Sequence, residues 1–290
     1  MPPLDISLTT WALLAVVVAA MLAIDLRVFA RDHAPPIRES IVWSVIWLLA
    51  AIAFGGLLWT WQGGDAGAQY FAGYLLERSL TLDNVFVFAV ILSYFAVPPH
   101  VQPKVLSWGI ALALVLRLVF ILAGAALLDA FHVTFYAFGA LLLYTAWKLA
   151  RHEDREVQPE HNPVLRVLRR RFRMTPLVAV FVVVATTDLV FAIDSIPAIF
   201  AVTQEPFIVF AANAFAMLGL RALYFLLVGM MDRFVYLSHG LALILAFIGA
   251  KMLLIDVWHP PIWLSLAVIV GVLVATALLS LRAAPEGEAA

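Results

Sequence analysis

Hydrophobic positions along this chain run in long unbroken blocks rather than in alternation. Nine blocks are readable, at about 8–29, 40–61, 70–97, 104–127, 132–150, 177–203, 207–230, 236–256 and 262–281. Most approach the ~20 residues with which a helix crosses ~30 Å of hydrocarbon. A membrane β-barrel would alternate apolar and polar residues over short segments. The pattern therefore predicts an all-α polytopic membrane protein with about nine transmembrane helices. Pro98, Pro99, Pro206, Pro260 and Pro261 fall in the connections, where a missing backbone donor is tolerated. The polar stretch 151–176 is read as a linker that touches anionic lipid, and the tail 283–290 as disordered.

Composition narrows the class. Residues are 64% hydrophobic and 13% charged, and the mean hydropathy is +1.01; soluble chains carry roughly 25% charged residues. The whole chain, 1–290, is expected to form one transmembrane domain whose main partner is the lipid bilayer. Cysteine is absent, which excludes disulfides, thiolate metal sites and thiol redox chemistry. A single basic patch without stacking aromatics argues against nucleic acid. The segment Met1–Thr10 has no basic n-region, so no removable signal peptide is predicted. Positive charge is one-sided: Arg27 ends the first block and Arg31 and Arg38 follow it, and Arg151, Arg155, Arg166, Arg169, Arg170, Arg171 and Arg173 follow the fifth, whereas 61–69 and 256–261 hold no Lys or Arg. The amino terminus is thus predicted outside and the carboxyl terminus in the cytoplasm.

Two carboxylate patterns interrupt the apolar blocks. One is Glu77-Arg78-Ser79-Leu80-Thr81-Leu82-Asp83-Asn84, the other Asp188-Leu189-Val190-Phe191-Ala192-Ile193-Asp194-Ser195, each with two acids six residues apart. An ionised side chain at mid-bilayer costs at least ~2.5–3.5 kcal/mol, so such residues mark ion pathways or buried pairs. The motifs do not repeat alone. Arg117, Asp129 and Lys148 follow the first in the order in which Arg221, Asp232 and Lys251 follow the second. This order predicts a duplicated three-helix unit, about 70–150 and about 177–256, with helices 8–29, 40–61 and 262–281 peripheral. Because three is odd, the copies would enter the membrane from opposite faces, with a site near the midplane between them.

The candidate cation ligands are Glu77, Asp83, Asn84, Asp188, Asp194 and Ser195, with Thr187 as a further oxygen. An all-oxygen set suits Mg2+, Ca2+ or Mn2+. Arg117 and Arg221 are read as charge-balancing, leaving about −2 against four carboxylates. The alternative is that these arginines only lock helices together. Pro197 removes a donor three residues after Asp194, which predicts a local break turning Asp194 and Ser195 inward. Arg78 either reduces the negative charge or snorkels outward. Lys148 and Lys251 are read as snorkelling; Asp25, Asp129 and Asp232 as solvated or capping near the interfaces. Asn213 is open between helix–helix hydrogen bond and ligand.

At these residues the chain resembles the TerC family of integral membrane proteins, named for tellurium resistance and similar to Alx-type manganese exporters. The resemblance rests on 73–87, on Trp108-Gly109 with Arg117, on 187–199, and on Leu218-Gly219-Leu220-Arg221-Ala222-Leu223-Tyr224-Phe225. It implies a bacterial inner (plasma) membrane protein that exports divalent metal, with Mn2+ as the transported ion. It also implies that Glu77, Asp83, Asn84, Asp188 and Asp194 are the metal ligands. The family's Glu three residues before the second motif is replaced here by Ala185. The resulting expectation is metal efflux by proton antiport, without enzymatic chemistry or a resident cofactor. The alternative is a non-transporting scaffold of a tellurite or metal stress-resistance complex, and a homo-oligomer or stress-complex partners remain open.

Overall fold

The computed structural model describes residues 6–28, 36–151, 176–227, 236–258 and 260–283. Among them the chain is helical, with no strand. In order, the helices are α1 (Leu8–Val28), α2 (Ile37–Gln62), α3 (Gly64–Tyr94), α4 (Gln102–Ala130) and α5 (Val133–Ala150). They are followed by α6 (Pro176–Phe200), α7 (Pro206–Met217), α8 (Leu220–Leu227), α9 (Leu237–Leu253) and α10 (Ile262–Ala283). Proline opens α7 and lies in the first turn of α4, where its missing N–H would be unpaired anyway. Gly63, at φ +94°, lets α2 pass into α3 with a single intervening residue. The 151–176 linker and the tail fall almost wholly outside the described residues.

Six of these helices are long and apolar enough to cross a membrane, or seven if α7 and α8 count as one span. This is fewer than the nine predicted. α3 has the length at 31 residues, but it carries Asp65, Glu77, Arg78 and Asp83, which lower its hydropathy. α9 has only 17 residues. The helix ends otherwise fall within a few residues of the block boundaries in most cases; α3 starts six residues earlier than its block.

The backbone break is not where proline predicted it. α6 continues through Pro197, and Ala201 N–H bonds the Pro197 carbonyl at 3.1 Å. Only the last turn lies beyond this proline, so little ladder is lost. The break falls instead between α7 and α8, which meet at 42°. Leu218 is extended, at ψ 125°, and Gly219 has φ +86°. A Cβ on Gly219 would lie 2.7 Å from the Trp47 ring, so both conformation and space require glycine there.

The core is built from α3, α4, α5, α6, α7 and α9. Its three most extensive helix pairs are α5 with α9, α3 with α7, and α4 with α6. Small residues make the closest approach: a Cβ on Gly139 would sit 3.0 Å from the Gly249 carbonyl oxygen, and a Cβ on Gly249 3.0 Å from that of Gly139. Close backbone contact of this kind substitutes for a hydrophobic driving force that lipid cannot supply. α1, by contrast, presents Leu8, Leu13 and Val16 outward.

Gly219→Ala is expected to cost about 1–3 kcal/mol through its backbone angle and the Trp47 contact. Gly56→Ala, at a helical site with nothing within 4 Å of the new Cβ, should leave stability unchanged or slightly raised. Thermal unfolding of both variants in detergent checks the contrast.

Candidate intramembrane ion site

Arg117 of α4 is 1% exposed and gathers polar groups from three other helices. Its Nη1 donates to Glu77 Oε1 of α3 and, at 3.1 Å, to Asn213 Oδ1 of α7. The same nitrogen lies 3.4 Å from Ser195 Oγ of α6, and Nη2 forms an ion pair with Asp188 Oδ1 of α6 at 3.5 Å. Glu77 is fully buried, and Asp188, Ser195 and Asn213 are buried too. A guanidinium offers five donors in a rigid fork, which is why one side chain can organise four helices.

Helix periodicity explains the rest of the cluster. Seven residues fall about 20° short of two turns. Glu77 and Asn84 therefore share one face of α3, and Asp188 and Ser195 share one face of α6. Asn84 is buried, as is Ala185, the small apolar residue one turn before Asp188. Asp83 and Asp194 lie on the same two helices, each six residues beyond the first acid; their side chains are outside those described.

Several buried atoms at this site lack a hydrogen-bond partner: Glu77 Oε2, Thr81 Oγ1, Arg117 Nε and Asn213 Nδ2. An unpartnered carboxylate oxygen buried away from water is costly and is a natural place for a cation or a proton. Among the described residues, no three Asp, Glu, His or Cys side chains come together. The site shown is thus a two-acid centre with hydroxyl and amide oxygens beside it, and its donor chemistry fits a hard divalent ion.

Arg221 is tied to α1. Its Nη2 pairs with Asp25 Oδ2 of α1 at 2.7 Å and bonds the Asp25 carbonyl, and its Nη1 donates to Ser107 Oγ. This corrects one expectation: Asp25 is neither solvated nor capping but 2% exposed. An arginine near mid-membrane takes the nearest acid, and the peripheral helix α1 supplies one. Nor does Arg78 snorkel outward; its Nη1 donates to the Ala216 carbonyl at 2.9 Å, capping the last turn of α7. Asn213 accepts from Arg117 at 3.1 Å, which is the helix–helix hydrogen bond of the two roles left open for it. Lys251 does not snorkel freely but donates to Ser265 Oγ at 3.1 Å, while Lys148 is half-buried in the last turn of α5. Asp129 is exposed, and Asp232 lies outside the described residues.

Two cavities flank the centre along α3. One, of 540 Å³, lies at its N-terminal end and is lined by Gln62, Asp65, Gln69, Thr203, Glu205 and Lys251 among others. Thr203 Oγ1 donates to Gln69 Oε1 there. The other, of 890 Å³, lies at the C-terminal end, beside Ser93, Tyr94, Gln102 and Tyr224. Between them, a void of only 10 Å³ touches Asp188, about the space of one water.

Comparison with known proteins points one way. The model of the integral membrane protein TerC family matches residues 62–287. A membrane protein of Myxococcus xanthus, STKORF319, is 42% identical over 96% of this chain and 95% of its own length. Alx of Escherichia coli K12 and Alx of Salmonella typhi, each named as a candidate membrane-bound redox modulator, are 42% identical over 93% of both chains. No solved structure matches the chain.

Arg117→Gln leaves Glu77 and Asp188 buried without their cation and is expected to destabilise by about 3–5 kcal/mol. Adding Glu77→Gln to that variant should recover part of the loss. A thermal double-mutant cycle in detergent measures the coupling, and additive effects would show that the pair does not hold the helices.

Proposed function

The chain belongs to the TerC family of integral membrane proteins, and on that footing we propose that it exports a divalent cation, Mn2+, across the bacterial inner membrane in exchange for protons. The observation that carries this reading is the pair Glu77 and Asp188, buried on two different membrane helices and sharing Arg117, with Glu77 Oε2 left unpartnered. Glu77, Asp83, Asp188 and Asp194 carry four formal negative charges, and Arg117 and Arg78, both held among these helices, carry two positive ones, which leaves −2. One divalent ion neutralises that charge. A carboxylate that takes either a metal or a proton couples the two flows. The reading assigns no catalytic step and no resident cofactor to the chain.

The inverted repeat belongs to the same reading. With α3–α5 as one unit and α6–α9 as the other, the three main helix pairs are third with third, first with second, and second with first. A two-fold axis in the membrane plane produces that exchange, and the reciprocal Gly139–Gly249 contact would lie on it. Counting the α7–α8 pair as one span, with α3 and α9 also crossing, this reading has nine spans. With the amino terminus outside, the cavity at Asp65 and Glu205 faces outward and the one at Tyr94 and Gln102 faces the cytoplasm.

Arg117 also supports a second reading, because neutralising two acids on two helices is what a pure helix lock does. In that case the chain is a non-transporting scaffold of a metal or tellurite stress-resistance complex. The relatives named for redox modulation fit either reading. With no cysteine in the chain, any influence on redox state does not run through its own thiols.

Purified protein in liposomes loaded with a Mn2+-sensitive dye separates the two. The wild type should move Mn2+ along an opposing pH gradient, and Glu77→Gln and Asp188→Asn should each slow it by roughly tenfold or more. Absence of Mn2+ movement by folded wild type would refute the exporter reading.

A further inference from the structure

We propose that Thr81 is a ligand of the transported cation, its hydroxyl oxygen adding a neutral donor on the α3 side of the site between Glu77 and Asn84. The inference rests on the exporter reading and names one more coordinating residue for it. A threonine inside a helix has two ordinary outlets for its hydroxyl: the carbonyl four residues back, or solvent. Other hydroxyls of the core helices take the first. Ser79 donates to the Leu75 carbonyl at 2.6 Å, Ser107 to that of Pro103 at 2.7 Å, and Thr186 to that of Val182 at 2.7 Å. Thr81 takes neither. It is 1% exposed, and its Oγ1 has no hydrogen-bond partner among the described residues, although the Glu77 carbonyl lies four residues back. A buried hydroxyl left in this way is costly unless something else engages it.

Its position says what that partner is. Glu77, Thr81 and Asn84 stand at i, i+4 and i+7 of α3, so they share one face. Arg117 and Ser195 engage the Glu77 carboxyl from α4 and α6. Thr81 stands one turn further along the same face, where no described group engages its hydroxyl. Neighbours at i and i+4 have Cβ atoms ~5–6 Å apart, a span that one cation bridges with bonds of ~2.1–2.6 Å to an oxygen on each side. A neutral donor also suits the charge. Four acids against Arg117 and Arg78 already leave −2, which one divalent ion balances, so further coordination must come without charge. Hydroxyl oxygen is hard, as carboxylate oxygen is, and keeps the site unattractive to soft ions. Thr187 is a weaker donor candidate: it is half-buried and adjoins Asp188, which puts it about 100° round α6 from that acid.

The test uses the full chain, with Mn2+ and Cd2+ binding measured by calorimetry in detergent and transport of each ion followed by metal-sensitive dyes in liposomes. Thr81→Val removes the hydroxyl at nearly constant shape. It should weaken Mn2+ binding by roughly tenfold or more, and Thr81→Ser should restore most of that loss. Thr81→Cys places a soft donor in a chain that has no cysteine of its own, and should shift the preference toward Cd2+ over Mn2+ by roughly tenfold. A threonine that merely packs between helices would leave that preference unchanged. Ser79→Ala is the control: its hydroxyl is bonded to the Leu75 carbonyl, and its removal should keep the wild-type ion preference. Wild-type Mn2+ affinity in Thr81→Val, or an unchanged preference in Thr81→Cys, overturns the proposal. Should Thr81→Val not fold, the Ser and Cys variants decide, because both keep a donor at the same place. If the wild type neither binds nor moves Mn2+, the exporter reading falls and this inference falls with it; if the wild type transports and the Thr81 variants match it, the exporter reading stands without Thr81.

Discussion

A charge inside a bilayer must find its counter-charge within the protein, and the arrangement of this chain follows from where its buried arginines find theirs. Arg117 is almost fully buried. It draws Glu77 from α3, Asp188 and Ser195 from α6, and Asn213 from α7 around one guanidinium. Desolvating these groups is expensive, and their attraction in a low-dielectric interior repays the cost only with good geometry. The same four helices supply the main core pairings α3–α7 and α4–α6. Apolar packing alone would not fix their rotations, because lipid is as good a partner for leucine as another helix is. The buried polar cluster supplies the register.

Much of this was legible in the sequence. The runs of apolar residues located nearly every helix, because each run reports a solvent preference that tertiary structure cannot override. One acid from each motif, Glu77 and Asp188, meets the other at Arg117; Asp83 and Asp194 have side chains outside those described. Pairing was less legible. Sequence order put Arg221 beside the motif acids by analogy with Arg117 and gave no hint of its pair with Asp25, because α1 lies outside the segments that carry the two motifs. Arg78 escaped for a related reason: its acceptor is a main-chain carbonyl, Ala216, freed by a helix end that no side-chain pattern announces.

The misplaced break has a similar cause. Proline was the visible signal, yet Pro197 sits near the end of α6 and removes one donor from a ladder that is about to finish. Gly219 was the quieter signal. It carries a backbone angle that L side chains rarely adopt, and it lies under an indole from α2 that excludes a Cβ. A break requires something to hold it open, and tertiary packing supplies that here. Helix ends exposed at such a point present carbonyls that call for positive charge, and Arg78 answers from the first motif. The motif therefore contributes more than acids: its arginine holds the end of α7.

The two buried arginines hold different parts of the structure. Arg117 neutralises one acid from each motif, on α3 and on α6. Arg221 pairs with Asp25 of α1, a helix whose other side chains largely face outward. One pair ties core helices to each other, and the other ties a peripheral helix to the start of α8. Apolar packing alone would let α1 exchange its neighbours for lipid, so a buried ion pair is the contact that fixes its place.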